Sequence, residues 1–284
     1  MLRVMETVLP ISGLQRQITI LQITDLHLIE TDHRDTVEVR ALAARQREWF
    51  PHSAGVLESL REYLRAAPPD YVVFTGDVLG FPTRRNLETL RAFLERDCPP
   101  WLYVFGNHER MFFPEDLNEE TRSRYTGDYA FAWRGDPDIQ VRNIGGVLLV
   151  GVDDSDGQFS ESQCRLLYRL IEQEIPCLLF VHIPLYLPTL KADVLRVWGQ
   201  PLMAGTPLEE MPDMDTALRP TRTTAELVRR LTTQETAVRA IFSGHVHFAH
   251  EDVFYGENKQ YITPMAATYD SDEGIGRLIR LIPD

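Results

Sequence analysis

With 284 residues, 44% of them hydrophobic and 25% charged, the sequence has the balance of a folded globular chain with a sizeable core, which excludes a disordered or fibrous polymer. Its formal net charge of -13 argues against a protein that follows a nucleic-acid backbone by general attraction, because such proteins carry a basic face. Acidity does not exclude phosphate substrates, since bound cations reverse the field locally.

Residues 1–17 lack the uninterrupted apolar core of a secretory signal, and no stretch reaches the ~18 apolar residues of a membrane span. A first strand is predicted over 18–24 (ITILQIT) from its run of β-branched residues. Residues 30–50 follow without continuing the pattern. A helix is predicted over 53–66, where Val56, Leu57, Leu60 and Leu64 share one face, Ser53 offers an N-cap, and Pro68 and Pro69 end the run. Strands at 71–75 (YVVFT) and 101–105 (WLYVF) flank a helical pattern at 86–97. Further strands are predicted at 147–152, 177–182 and 238–243, with helical patterns at 160–174 and 223–234 and short apolar runs, YIT and RLIRLI, near the end. Strands alternating with helices predict a layered α/β fold, expected as one domain over 1–284. Residues 184–222, with six prolines and three methionines, break the alternation as 30–50 does. Both stretches are expected to wall a binding site, the alternative being packed insertions without ligand contact. Cys98, Cys164 and Cys177 are odd in number and lack metal-type spacing, so free thiols and a cytoplasmic location are expected.

The chemistry sits at the strand ends. Five predicted strands run directly into Asp25-Leu26-His27, Gly76-Asp77, Gly106-Asn107-His108-Glu109, His182, and Gly244-His245-Val246-His247. In α/β folds the carboxyl ends of strands converge on one edge, where ligands bind. Asp-x-His alone is weak, being expected roughly 0.6 times by chance in such a chain. Its weight comes from the order and placement of all five fragments, which hold five of the eight histidines. Histidine and carboxylate without thiolate suit Mn, Fe or Zn rather than an all-oxygen calcium site. Residues i and i+2 of an extended segment point the same way, which would let Asp25 with His27, and His245 with His247, reach one ion. A shared carboxylate at Asp77 would hold two ions about 3.5–4 Å apart.

In this order the fragments resemble the calcineurin-like metallophosphoesterase superfamily over residues 25–247, and more loosely its purple-acid-phosphatase-related branch. The resemblance implies a four-layer αββα sandwich of two mixed β-sheets flanked by helices. It implies a first metal held by Asp25, His27, Asp77 and His247, and a second held by Asp77, Asn107, His182 and His245. His108 would stay free, facing the scissile phosphate to stabilise charge or protonate the leaving oxygen, with a metal-bridging hydroxide as nucleophile. The purple enzymes usually place a tyrosine iron ligand three residues after the Asp of Gly-Asp; here that position is Gly80, so the identity of the metals, Mn, Fe or Zn, stays open.

Phosphate mono- or diester hydrolysis on a small phosphorylated substrate is the leading reading. A catalytically silent scaffold is the alternative from another class, and a nuclease or pyrophosphohydrolase the further enzymatic ones. Glu109 is read as a solvated helix-start carboxylate or an orienting group and left outside the site. His33 and His250 are read as surface residues that could touch substrate, and Asp153-Asp154-Ser155-Asp156 as a turn after a strand.

Overall fold

The apolar runs at 18–24, 71–75 and 101–105 form β2 (Ile18–Ile23), β3 (Tyr71–Thr75) and β4 (Trp101–Val104) in a computed structural model that describes residues 2–113, 119–133, 135–211 and 219–284. They pair in parallel, β2 with β3 and β3 with β4. On the other side of β2 lie β11 (Ile275–Pro283), antiparallel to it, and β1 (Arg3–Ile11), giving a five-stranded mixed sheet ordered β1-β11-β2-β3-β4. The second sheet comprises β5 (Ile139–Ile144), β6 (Val147–Val152), β7 (Cys177–Phe180), β8 (Val238–Ser243), β9 (His250–Tyr255) and β10 (Asn258–Ile262), ordered β5-β6-β7-β8-β10-β9.

The sheets pack face to face. Ile20, Val73, Leu102 and Val104 of the first share one buried layer with Leu149, Leu178, Phe180 and Phe242 of the second. On the outer face of the first sheet lie α2 (Ser53–Ala66) and α3 (Arg84–Arg96), through Val56, Leu60, Leu90 and Phe93. The second sheet is covered by α5 (Glu161–Ile171), α6 (Pro188–Trp198) and α7 (Arg222–Thr233), through Leu167, Val194 and Leu227. This is the αββα sandwich.

Several details differ from the sequence-based expectation. The α2 cap is His52, and Ser53 lies buried as the first helical residue. Within 30–50 a helix forms, α1 (Val37–Trp49), which buries only Ala43 and so carries almost no apolar stripe to read. Within 184–222 the helix α6 starts on Pro188 and ends on Gly199 at φ 67°, a start-and-stop pair that was available in the sequence. Residues 212–218 of that stretch lie outside the described residues. Between β4 and β5 a further short helix, α4 (Glu119–Asp128), forms.

Candidate metal centre

Parallel pairing aligns the strand ends. Asp25 follows β2, Asp77 follows β3 and Asn107 follows β4, so neighbouring strands deliver them to one edge; β7 and β8 deliver His182 and His245 to the facing edge of the other sheet. Backbone hydrogen bonds carry the pairing past the strands, from Asp25 N–H to Gly76 O (3.0 Å), His27 N–H to Asp77 O (2.9 Å) and Gly244 N–H to His182 O (3.0 Å).

The turns that follow are unusual. Among the described residues, the only non-glycine residues with positive φ are Asp25 (51°), His27 (47°), Asp77 (50°), His245 (67°) and His247 (62°). Left-handed backbone at such residues costs about 1–3 kcal/mol each and persists where the surroundings over-determine it, which is typical of functional sites. The expectation that an extended segment aims Asp25 with His27, and His245 with His247, is therefore corrected. Asp25 and His27 do converge, but from left-handed turns, whereas His245 and His247 divide between two donor clusters, His245 with Asp77 and His182 and His247 with Asp25 and His27.

Close approach of these turns is what the motif glycines permit. A Cβ on Gly106 would stand 2.1 Å from Asp77 Oδ1, and one on Gly244 1.9 Å from Thr24 Oγ1 and 2.3 Å from Asp25 Oδ2.

Each aspartate commits one oxygen to the protein and presents the other. Asp25 Oδ2 accepts from Thr24 Oγ1 (2.6 Å) and from the His245 N–H (2.9 Å), while buried Oδ1 has no hydrogen-bond partner. Asp77 Oδ1 accepts from the His108 N–H at 2.9 Å. Around Asp25 Oδ1 stand His247 Nε2 at 3.3 Å and His27 Nε2 at 3.8 Å, the two nitrogens 3.2 Å apart. Around Asp77 Oδ2 stand His182 Nε2 at 3.3 Å and His27 Nε2 at 3.9 Å. His182 Nε2 in turn lies 3.2 Å from Asn107 Oδ1 and 3.1 Å from His245 Nδ1. Donors sharing one ion at about 2.1 Å are separated by roughly 3.0–3.4 Å in octahedral or tetrahedral geometry. The residues present therefore fit metal ions.

The electrostatics favour cations in the same place. Burial opposes ionisation of Asp25, yet His247 and then His182 outweigh it and hold the carboxyl down at about 2. Burial likewise disfavours a charged His182, but Asp77 reverses this and pushes it up to about 10. Burial and the adjacent His182 drive His245 down to about 3, and burial and His108 keep His27 well below the usual histidine range. His182 donates Nδ1–H to Thr75 O at 2.8 Å, which turns Nε2 to the donors around it, the arrangement typical of metal-bound histidine.

His108 stands beside these donors, one of its nitrogens clustering with His27 and Asp77. Its Nδ1–H donates to Gly80 O at 3.0 Å, leaving Nε2 available, and its ring meets the His27 ring edge-on at 4.8 Å. Gly80 thus contributes a carbonyl where the purple enzymes have a phenol. His33 is exposed, and His250 is held between Asp193 and Asp252; neither joins the clusters.

Two carboxylates matter more than their sequence context indicates. Glu109, read as solvated, is wholly buried and accepts from the N–H groups of Asp77 (2.8 Å), Val78 (2.7 Å), Leu79 (3.1 Å) and Gly106 (2.8 Å) and from the Tyr103 hydroxyl (2.9 Å). Asp154, read as a turn residue, is equally buried and accepts from the N–H groups of His182 (2.8 Å) and Ile183 (3.0 Å). The available signal was placement: one lies inside a strand-end motif, the other two residues beyond a strand whose six residues are all buried.

Aromatic rings from both atypical stretches reach the histidines. Phe50, after α1, stacks on His27 (centroids 4.1 Å apart, planes at 18°), and Trp198, at the end of α6, meets His247 edge-on at 5.4 Å.

The chain belongs to the calcineurin-like phosphoesterase family, whose sequence profile matches residues 18–249. Family and donor clusters together define a metal-dependent phosphoesterase. No curated protein sequence matches the chain significantly. Among solved structures, a dimetal phosphatase from Danio rerio superposes with a TM-score of 0.53 at 15% identity, over 88% of this chain and 88% of that one. A purple acid phosphatase from yellow lupin (Lupinus luteus) seeds gives a TM-score of 0.54 at 12% identity over 95% of this chain, which spans 45% of the lupin chain. At such identities the likeness is one of fold.

Proposed function

We propose that the chain hydrolyses a phosphate mono- or diester of a small molecule at a pair of transition-metal ions, Mn, Fe or Zn. The first would be held by Asp25, His27, Asp77 and His247 and the second by Asp77, Asn107, His182 and His245. The observation that carries this reading is Asp77 Oδ2, which stands 3.3 Å from His182 Nε2 and 3.9 Å from His27 Nε2 and so belongs to both donor sets. When bound, such ions polarise a phosphoryl oxygen and lower the pKa of water from 15.7 to about 7.

The chain's own residues do the rest. Thr24 and the His245 N–H fix the Asp25 carboxylate, and the His108 N–H fixes that of Asp77, so each presents a single oxygen. His108, with Nδ1–H engaged by Gly80 O, is placed to give an Nε2 proton to the leaving oxygen. Phe50 and Trp198 exclude water from one side of His27 and His247, which supports the walling role of the 30–50 and 184–222 stretches. The unpaired thiols of Cys98, Cys164 and Cys177 support a reducing, cytoplasmic setting, and the net charge of -13 supports a substrate other than nucleic acid.

Turnover of p-nitrophenyl phosphate or its bis ester tests this. Activity should require added metal, vanish on chelation, and be lost in Asp77→Ala and His245→Ala. A folded, metal-loaded protein inert toward a broad panel of phosphoesters would instead favour the catalytically silent scaffold.

A further inference from the structure

The ligand set leaves unexplained why two more carboxylates are buried behind it. Asp25, Asp77, Glu109 and Asp154 are each at most 2% exposed, and among the described residues no lysine or arginine stands within ion-pair distance of any of them. Their neighbour Asp153 is different, because the buried Arg110 guanidinium pairs with it. A buried carboxylate persists only where hydrogen bonds or a nearby cation satisfy it, and for Glu109 and Asp154 the partners are mainly backbone N–H groups of the site's own turns.

The hydrogen bonds are equally specific. Glu109 Oε1 accepts from Val78, Leu79 and Tyr103, and Oε2 from Asp77 and Gly106. Four of the five partners are backbone N–H groups, which can only donate, so an amide NH2 on either side would face two of them. The cradle joins the turn that carries Asp77 to the turn that carries Asn107. Asp154 performs the corresponding task for His182 by accepting from its N–H.

We infer that Glu109 and Asp154, neither of them a ligand, are positioning residues for the ions: Glu109 fixes the backbones that carry the shared Asp77 and, through Gly106, Asn107, and Asp154 fixes that of His182, a donor to the second ion alone. This rests on the two-ion reading above. It assigns the two ions unequal dependence on the surrounding protein, because no hydrogen bond from either carboxylate reaches the backbone of Asp25, His27 or His247.

Calorimetric titration of the metal-free full-length chain with Mn2+ tests the inference. Wild type should take up two equivalents. In Asp154→Asn one equivalent should keep its wild-type affinity while the other weakens about 10- to 100-fold, in Glu109→Gln both should weaken because Asp77 is shared, and in each variant excess Mn2+ should restore phosphoesterase activity. Restoration by metal separates a positioning role from a merely structural one. If Glu109→Gln fails to fold by circular dichroism, Tyr103→Phe, which removes one of the five hydrogen bonds, should weaken both equivalents severalfold. Two equivalents at wild-type affinity in all folded variants would overturn the inference while leaving the two-ion reading intact. Wild type that binds none of Mn2+, Fe2+ and Zn2+ would overturn both.

Discussion

His108 is the residue whose role the site constrains most and whose neighbours hide least. Its Nδ1 is committed to Gly80 O, and its backbone N–H to Asp77 Oδ1, so the side chain can change without removing a donor atom of the proposed ligands. His108→Ala should lower kcat about 100- to 10,000-fold with metal content unchanged. The loss should be larger for an alkyl phosphate than for p-nitrophenyl phosphate, whose leaving oxygen needs little protonation. Equal losses on both would assign His108 to charge stabilisation rather than proton donation. At this scale the sequence was informative about identity and silent about support. Asp25, Asp77, His182 and the histidine pair stand at strand ends and are legible there, whereas Glu109 and Asp154 act through backbone N–H groups of other segments. Such partners leave no pattern in a single sequence.

Among the elements, the interior strands were legible and the edge strands were not, except β4, an edge strand that is nearly all buried and reads as an apolar run. β2, β3, β6, β7 and β8 are nearly all buried and read as continuous apolar runs. The unpredicted strands, β1, β5 and β9, each lie at a sheet edge, where most of their residues are partly or fully exposed and polar residues interrupt the run. Helices follow the same logic: α2 and α3 bury a clear stripe and were read, while α1 buries one residue and was not. The turn after β4 is tied to the end of β6 by the buried Arg110–Asp153 pair. Arg110→Met should lower stability by about 3–5 kcal/mol, because it removes the guanidinium that faces a buried carboxylate, and Asp153→Asn added to it should recover much of the loss. Urea unfolding of the single and double variants measures this; a loss below about 1 kcal/mol would mean that Asp153 is well satisfied without the arginine.

For the whole molecule, the buried thiols set an alkaline limit. Burial pushes Cys177 up from about 9 to about 12 and Cys164 up to about 11. A raised pKa means that the folded state holds the proton more tightly. The associated stability is complete below the unfolded pKa near 9 and is lost as pH rises toward the folded value. Between pH 8 and 10.5 wild type should therefore lose about 2 kcal/mol more than Cys177→Ala. Parallel losses in the two proteins, followed by denaturant midpoints, would show that the thiol is not held neutral. The αββα architecture itself was reached through family resemblance, since alternating strands and helices are equally compatible with a single doubly wound sheet. What separates the two is the shared layer of Ile20, Val73, Leu149 and Phe242, a contact between sheets that periodicity cannot express.

The most direct test of a two-ion phosphoesterase is turnover of p-nitrophenyl phosphate recorded against bound Mn2+ as metal-free protein is titrated. Activity should be absent without metal, rise with binding, and level off at two ions per chain. Turnover without metal, or full turnover at one ion per chain, would contradict it.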